Sequence, residues 1–184
     1  MVGNIYYSDG SCSSCLDNSK TPIGVVVKDN ELVMSTKHKE MTWSGYNTDV
    51  AEIEIPYGDD DFSINARNDF NGKNNTLTIV STYTNDTSNK NAAIYCNSYT
   101  TDGTSAGDWY LPAAGELYSY VYGNYKILSN TYISKLGWDT MEYYFSSSSE
   151  HSLYIIWYVA AYYNHVHSVY KYDIYSVTCF LPIN

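Results

Sequence analysis

The sequence predicts a single α+β domain over residues 1–184, and three observations predict it. Strand-like runs bracket a central helical region instead of alternating with it. That central region carries an apolar stripe at helical spacing. The C-terminal third alternates between a Trp/Val side and a Tyr side, as a strand does. A chain of 184 residues with 44% apolar content buries such a core without staples.

The opening GNIYYSDGS is a short β-like run into a turn. TPIGVVVKDNELVMS reads as a hairpin: Val25, Val26 and Val27, a polar turn at Asp29–Asn30, then Leu32 to Met34. Residues 36–69 are polar and show no clear element, with YGDDDF a solvated acidic loop. Residues 71–107 are rich in Asn, Thr, Ser and Gly, so loops are expected to dominate. Within them NNTLTIVSTYTN suits a strand by its β-branched residues and a short helix by its length.

Pro112 then stands where a first helical turn would begin. Leu117, Val121, Tyr125 and Leu128 follow on one helix face. NTYISKL reads as a second, shorter helix stopped by Gly137. YYFSSSSEHSLYIIWYVAAYY is strand material, and KYDIYSVTCFLPI ends the chain in a strand that is apolar at Val177, Phe180 and Leu181.

The charge balance excludes several functions. A net charge of −10, with most of the acidic residues spread over the first 110 positions, leaves no Lys/Arg footprint for a phosphate backbone or an anionic membrane. No apolar run reaches the length of a membrane span. MVGNIYYSDG has neither a charged n-region nor an apolar h-region and does not read as a signal peptide.

Candidate chemistry is thin. Cys12 and Cys15 form a C-x-x-C without a second ligand pair or a following helix start, so they read as loop cysteines or a local disulfide. Cys96 and Cys179 have no motif around them. A nucleophilic triad would draw on His151, His165 or His167, on Glu150 or Asp173, and on Ser146 to Ser149, but no nucleophile-elbow signature accompanies them. His165 and His167 project to one side of a strand as a two-ligand pair with no evident third. Asp69 to Asn75 (DFNGKNN) lacks the fifth-position and distal acids of a calcium loop. Glu150, following four serines, reads as a structural carboxylate that fixes a loop. Neither a metal nor a cofactor is expected.

Tyrosine usage says more. The chain has 22 tyrosines against four each of Phe and Trp. Seven of them fall between His151 and Ser176, with three of the four histidines and only Lys171 and Asp173 charged. Alternation puts Leu153, Ile155, Trp157 and Val159 on one face, and Tyr154, Ile156, Tyr158, Ala160 and Tyr162 on the other. If the Trp157 face is core, the second face displays an aromatic patch of the kind that marks an interaction site. Tyr gives rigid, amphipathic contact area at low entropic cost.

GDWYLPAAGELYSYV, then YYFSSSSE, IIWYV and the terminal YSVTCFLPI, together resemble the variable proteins of diversity-generating retroelements. GNIYYSDGS and KTPIGVVV extend the likeness over most of the chain. The resemblance implies a C-type lectin fold, with a mixed or antiparallel sheet and two main helices, and it places the first helix at NNTLTIVSTYTN. It also implies a ligand-binding region over about 143–176 whose residues vary on a fixed frame. The implied variable positions are Tyr143, Ser146, His151 and Leu153, the display-face residues Tyr154, Ile156, Tyr158, Ala160 and Tyr162, then His165, His167, Tyr170, Tyr172, Asp173 and Tyr175. The function implied is non-enzymatic binding of a protein, or less readily a glycan, on a cell or host surface, by an extracellular phage or bacterial surface component. The alternative is a tail-fibre or pilus subunit that uses the aromatic surface for assembly. Nucleic acid and direct membrane insertion are not expected, and the oligomeric state stays open.

Overall fold

A computed structural model describes residues 1–44, 49–83, 91–138 and 141–183. Among the described residues, ten strands form two five-stranded sheets. The first sheet orders β10-β4-β3-β1-β2: β1 Ile5–Tyr7, β2 Cys12–Ser13, β3 Pro22–Lys28, β4 Leu32–Ser35 and β10 Phe180–Pro182. The second orders β5-β9-β6-β7-β8: β5 Lys39–Thr42, β6 Tyr144–Ser152, β7 Ile155–Ala160, β8 His165–Tyr170 and β9 Ile174–Val177. All pairs are antiparallel except β6 with β9. The molecule is therefore α+β, as the order of sequence elements predicts.

The β3–β4 hairpin forms where expected, with Asn30 at φ 55° in its turn. Asn tolerates that left-handed conformation better than a branched residue would. Helices occupy part of the stretch expected to be mostly loops: α2 Gly72–Thr82 and α3 Ala92–Ser98 follow the short α1 Ile64–Arg67. NNTLTIVSTYTN thus lies in a helix up to Thr82, and its last two positions fall outside the described residues. Burial outweighs β-branched propensity there, because Thr76 and Ile79 point into the core. Asn91 caps α3, its side chain accepting from the N–H groups of Ala93 and Ile94.

The predicted stripe and second helix merge into one irregular helical stretch. It runs through α4 Ala114–Glu116, a π-turn segment Leu117–Val121, a 3₁₀ turn Tyr122–Asn124, α5 Tyr125–Asn130 and a second π segment Thr131–Lys135. Leu117, Val121 and Leu128 are fully buried, while Tyr125 is half-exposed. Gly137 ends the run at φ 75°.

Two core clusters sit on opposite faces of β3. Val26 joins Trp43, Ile79, Trp109 and Ile156; Val25 and Val27 join Leu117, Val121, Phe145 and Trp157. β7 likewise divides its residues between the clusters, Ile156 to the first and Trp157 and Val159 to the second. Cys96 in α3 is disulfide-bonded to Cys179, and Cys12 and Cys15 are exposed free thiols.

Candidate interaction surface

The surface rests on a buried polar spine built from the serine run. Ser146 to Ser149 and Glu150 are all fully buried in β6, whose register against β7 shifts between Ser146 and Glu150. Ser147 Oγ donates to the Trp157 carbonyl at 2.7 Å and accepts from Ser149 N at 3.2 Å. Ser149 Oγ donates to Asp69 Oδ2 at 2.7 Å and accepts from Ala114 N at 2.9 Å. Asp69 also holds Asn75 Nδ2 and Asn71 N, each at 2.9 Å, so the calcium-like stretch is a hydrogen-bonded joint. Gly115 lies close beneath it; a Cβ there would stand 2.4 Å from the Asp69 carbonyl oxygen. Glu116 accepts from Tyr110 Oη and Ala113 N, both at 2.8 Å.

Glu150 has the structural role its sequence context suggests. It pairs with the buried Lys171 and accepts from Val50 N at 3.3 Å, while the Lys171 ammonium lies 4.9 Å from the Trp43 ring centre. Burial pushes the Glu150 carboxyl up to about 6, with Lys171 pulling the other way. A charge pair sealed in this manner fixes the turn after β8, since breaking it would leave one buried charge alone.

Above this frame lies a continuous aromatic field. Tyr158 of β7 stacks on Tyr175 of β9 with ring centres 4.9 Å apart and planes at 27°. Tyr144 touches both and stacks on Tyr163. Tyr143, Tyr162 and Tyr163 contact one another, and Tyr125 of α5 closes the cluster against Tyr143 and Tyr162. His165 and His167 stack at 5.0 Å beside Tyr158. Burial and then the His167 charge pull the His165 imidazole down. Burial raises the Tyr158 and Tyr175 hydroxyls, so both remain protonated donors at neutral pH.

Tyr143, Tyr162 and His167 are exposed there, and Tyr158, His165 and Tyr175 are half-exposed. Tyr154, Tyr170 and Tyr172 are also exposed but form a separate corner near the half-buried Asp173. His151 and Leu153 are half-buried, and the His151 ring packs on Tyr57 at 4.0 Å.

Three expected display residues are corrected. Ser146 belongs to the buried spine, and Ile156 and Ala160 are 1% and 2% exposed. Strict alternation fails within β7 because that strand has core on both faces, so of the expected display row Tyr154, Tyr158 and Tyr162 emerge while Ile156 and Ala160 do not. On the expected core side, Trp157 and Val159 are buried as predicted, whereas Leu153 and Ile155 are only half-buried.

Sequence reasoning omitted Tyr144, Tyr163 and Ile174, all exposed, and Tyr125. Tyr144 faces Ala160 across the β6–β7 ladder, a register no single-strand pattern reveals. Tyr57 and Phe62, at the ends of the acidic loop, also reach this region: Phe62 packs on Trp157 and His167. The aromatic residues bounding YGDDDF were the available signal.

The arrangement suits contact by many ring faces and hydroxyl donors. Among the described residues no group of three His, Cys, Asp or Glu could hold a metal, and no helix is long and apolar enough to cross a membrane. Two backbone N–H groups of the edge strand β8 are taken by side chains: Ser168 N donates to His167 Nδ1 at 2.9 Å, and Tyr170 N to Asp173 Oδ2 at 3.3 Å. That blunts the β8 edge against strand addition.

No protein-family model matches the chain, and no curated protein matches it by sequence. Among solved structures, it is similar to a fimbrial protein from Bacteroides ovatus, with a TM-score of 0.75 and 18% identity. The match covers 100% of this chain and 49% of the other, so the chain spans about half the length of that protein, and at this identity the likeness is one of fold.

Proposed function

We propose that the chain is a non-enzymatic binding domain of an extracellular surface protein, and that its tyrosine field recognises a macromolecular partner. The observation that carries this reading is the division of labour within β6 to β9. A buried polar spine holds the frame, while Tyr143, Tyr162 and Tyr163 are 40–59% exposed and pack chiefly on one another. Tyrosine is enriched among the few residues that carry most of the energy in protein interfaces. The Cys96–Cys179 disulfide supports an oxidising location.

The same division supports reading the domain as a variable protein of a diversity-generating retroelement with a C-type lectin fold. Exposed positions change at little cost in stability, and the spine stays constant. A template repeat near the gene, differing from its 3′ end at adenines, is the direct test. Its absence together with the absence of a neighbouring reverse transcriptase gene removes that part of the proposal.

A second reading, a pilus-type subunit that assembles through the aromatic field, is favoured by the fold likeness to a fimbrial protein. Light scattering combined with tyrosine iodination separates the two. Recognition predicts a monomer with Tyr162 and Tyr163 iodinated freely; assembly predicts an oligomer that protects them. The triple change Tyr158→Ala, Tyr162→Ala and Tyr163→Ala should abolish adhesion to target cells while moving Tm by only a few degrees. Adhesion retained by a folded triple variant would overturn the binding surface.

A further inference from the structure

The corner away from the main field has a shape and a charge of its own. Ile155 and Val169, both half-buried, line a concavity of about 350 Å³ together with Ser168, Tyr170 and Asp173. Tyr170 stacks on Tyr172 with ring centres 5.0 Å apart and planes 7° from parallel. The two residues are 50% and 59% exposed, so much of the stack's ring surface is accessible.

Asp173 folds back towards this bowl. Its N–H donates to the Tyr170 carbonyl at 3.0 Å, and its Oδ2 accepts from Tyr170 N at 3.3 Å. One long hydrogen bond uses little of a carboxylate's acceptor capacity. Among the described residues Asp173 takes part in none of the ion pairs, and the bowl is lined by no Lys or Arg. The cation nearest to Asp173 in sequence, Lys171, is turned inward onto Glu150 and Trp43. The corner therefore joins apolar walls, two exposed aromatic rings and one negative charge that has no cation partner among the described residues.

We propose that this bowl receives an arginine side chain from a basic protein partner. The alkyl stem would lie along Ile155 and Val169, the guanidinium over the Tyr170–Tyr172 stack, and its N–H groups on Asp173. Arginine fits better than lysine because its planar, weakly hydrated fork stacks on rings and matches a carboxylate in two hydrogen bonds. The net charge of −10 favours a basic partner by steering its approach. The inference rests on the reading of the chain as a binding domain and names the chemistry of what it binds.

The test uses the full chain and four tripeptide or sugar probes followed by the NMR signals of labelled tyrosine rings. Gly-Arg-Gly should shift Tyr170 and Tyr172 with millimolar affinity. Gly-citrulline-Gly, which has the same shape without the charge, should bind about three- to tenfold more weakly. Gly-Lys-Gly should fall between them, and Asp173→Asn, which keeps the side-chain shape, should reduce arginine binding by a similar factor. Equal binding of the arginine and citrulline peptides would overturn the proposal, as would unchanged binding by a folded Asp173→Asn variant. Shifts of Tyr170 and Tyr172 by maltotriose as strong as those by Gly-Arg-Gly would make the corner a sugar platform and overturn it as well. The Tyr158/Tyr162/Tyr163 variant should keep the arginine shifts. Loss of adhesion in that variant and loss of arginine binding in Asp173→Asn are therefore separate results, and either reading can fail without the other.

Discussion

Four consecutive serines with the same burial should differ sharply in what they contribute. Ser147 and Ser149 each donate one side-chain hydrogen bond and accept another, whereas among the described residues the hydroxyls of Ser146 and Ser148 have no partner. Ser149→Ala leaves the buried Ala114 N–H without its acceptor and strips one donor from the buried Asp69 carboxylate. An orphaned buried donor costs about 1–3 kcal/mol and a bond to a charged group about 1.5–3 kcal/mol, so a loss of about 3–5 kcal/mol is expected. For a domain of this size that lowers Tm by about 6–20 °C. Ser147→Ala should cost about 2 kcal/mol, because the Trp157 carbonyl and Ser149 N–H lie within a strand pair. Ser146→Ala and Ser148→Ala remove hydroxyls that gain nothing from burial and should stay within about 0.5 kcal/mol of wild type or stabilise. Urea unfolding of the four variants measures this directly. Equal costs across the run, or a larger cost at Ser146 or Ser148, would refute the hydrogen-bond assignment and the spine built on it.

Other outcomes follow from the buried ionisable groups and the disulfide. Burial among Tyr132, Trp138 and Phe145 holds the His38 imidazole down at about 3, so the stability it contributes is complete above pH 6.5 and lost as pH falls. The loss reaches about 2 kcal/mol by pH 5, and the difference in stability between wild type and His38→Phe should change by that amount between pH 7 and pH 5. Glu116 has the opposite sign: burial raises its carboxyl to about 7, so its contribution falls as pH rises from 4.5 to 7. The fall is about 3 kcal/mol, and Glu116→Gln should lack that slope in a pH series of urea midpoints. Reducing Cys96–Cys179, which are separated by 83 positions, should destabilise the chain by about 4 kcal/mol, visible as a lower Tm in the presence of reductant.

What the sequence displays and what it conceals follow from the range of the forces involved. The β3–β4 hairpin and the Leu117/Val121/Leu128 stripe are local patterns with local causes, and both form as read. The carboxylate of Glu150 is legible as structural because a buried acid beside hydroxyls must find partners. Its partner Lys171 lies 21 positions away and had no such mark. Ile156 and Ala160 mislead because period-2 alternation assumes one wet face, and β7 is covered on both by parts of the chain distant in sequence. The helix at Gly72–Thr82 conflicts with its β-branched composition because Ile79 and Thr76 are fixed by tertiary contacts, including a hydrogen bond from Thr76 Oγ1 to the Leu111 carbonyl. The extension of the aromatic field to Tyr125, and the packing of Tyr57 and Phe62 beside it, depend on loop placement, which no periodicity encodes.

The sulfur bridge between α3 and the C-terminal segment also decides how the chain carries load. A pull applied at residues 1 and 184 passes from Cys96 to Cys179 through one covalent link. The segment between them, which holds Tyr125, Tyr143, Tyr158, Tyr162, Tyr163, Tyr170, Tyr172 and Tyr175, cannot be drawn out by that tension. Stretching is confined to the residues before Cys96 and after Cys179, and the covalent bridge caps how far the aromatic residues between them can be drawn apart.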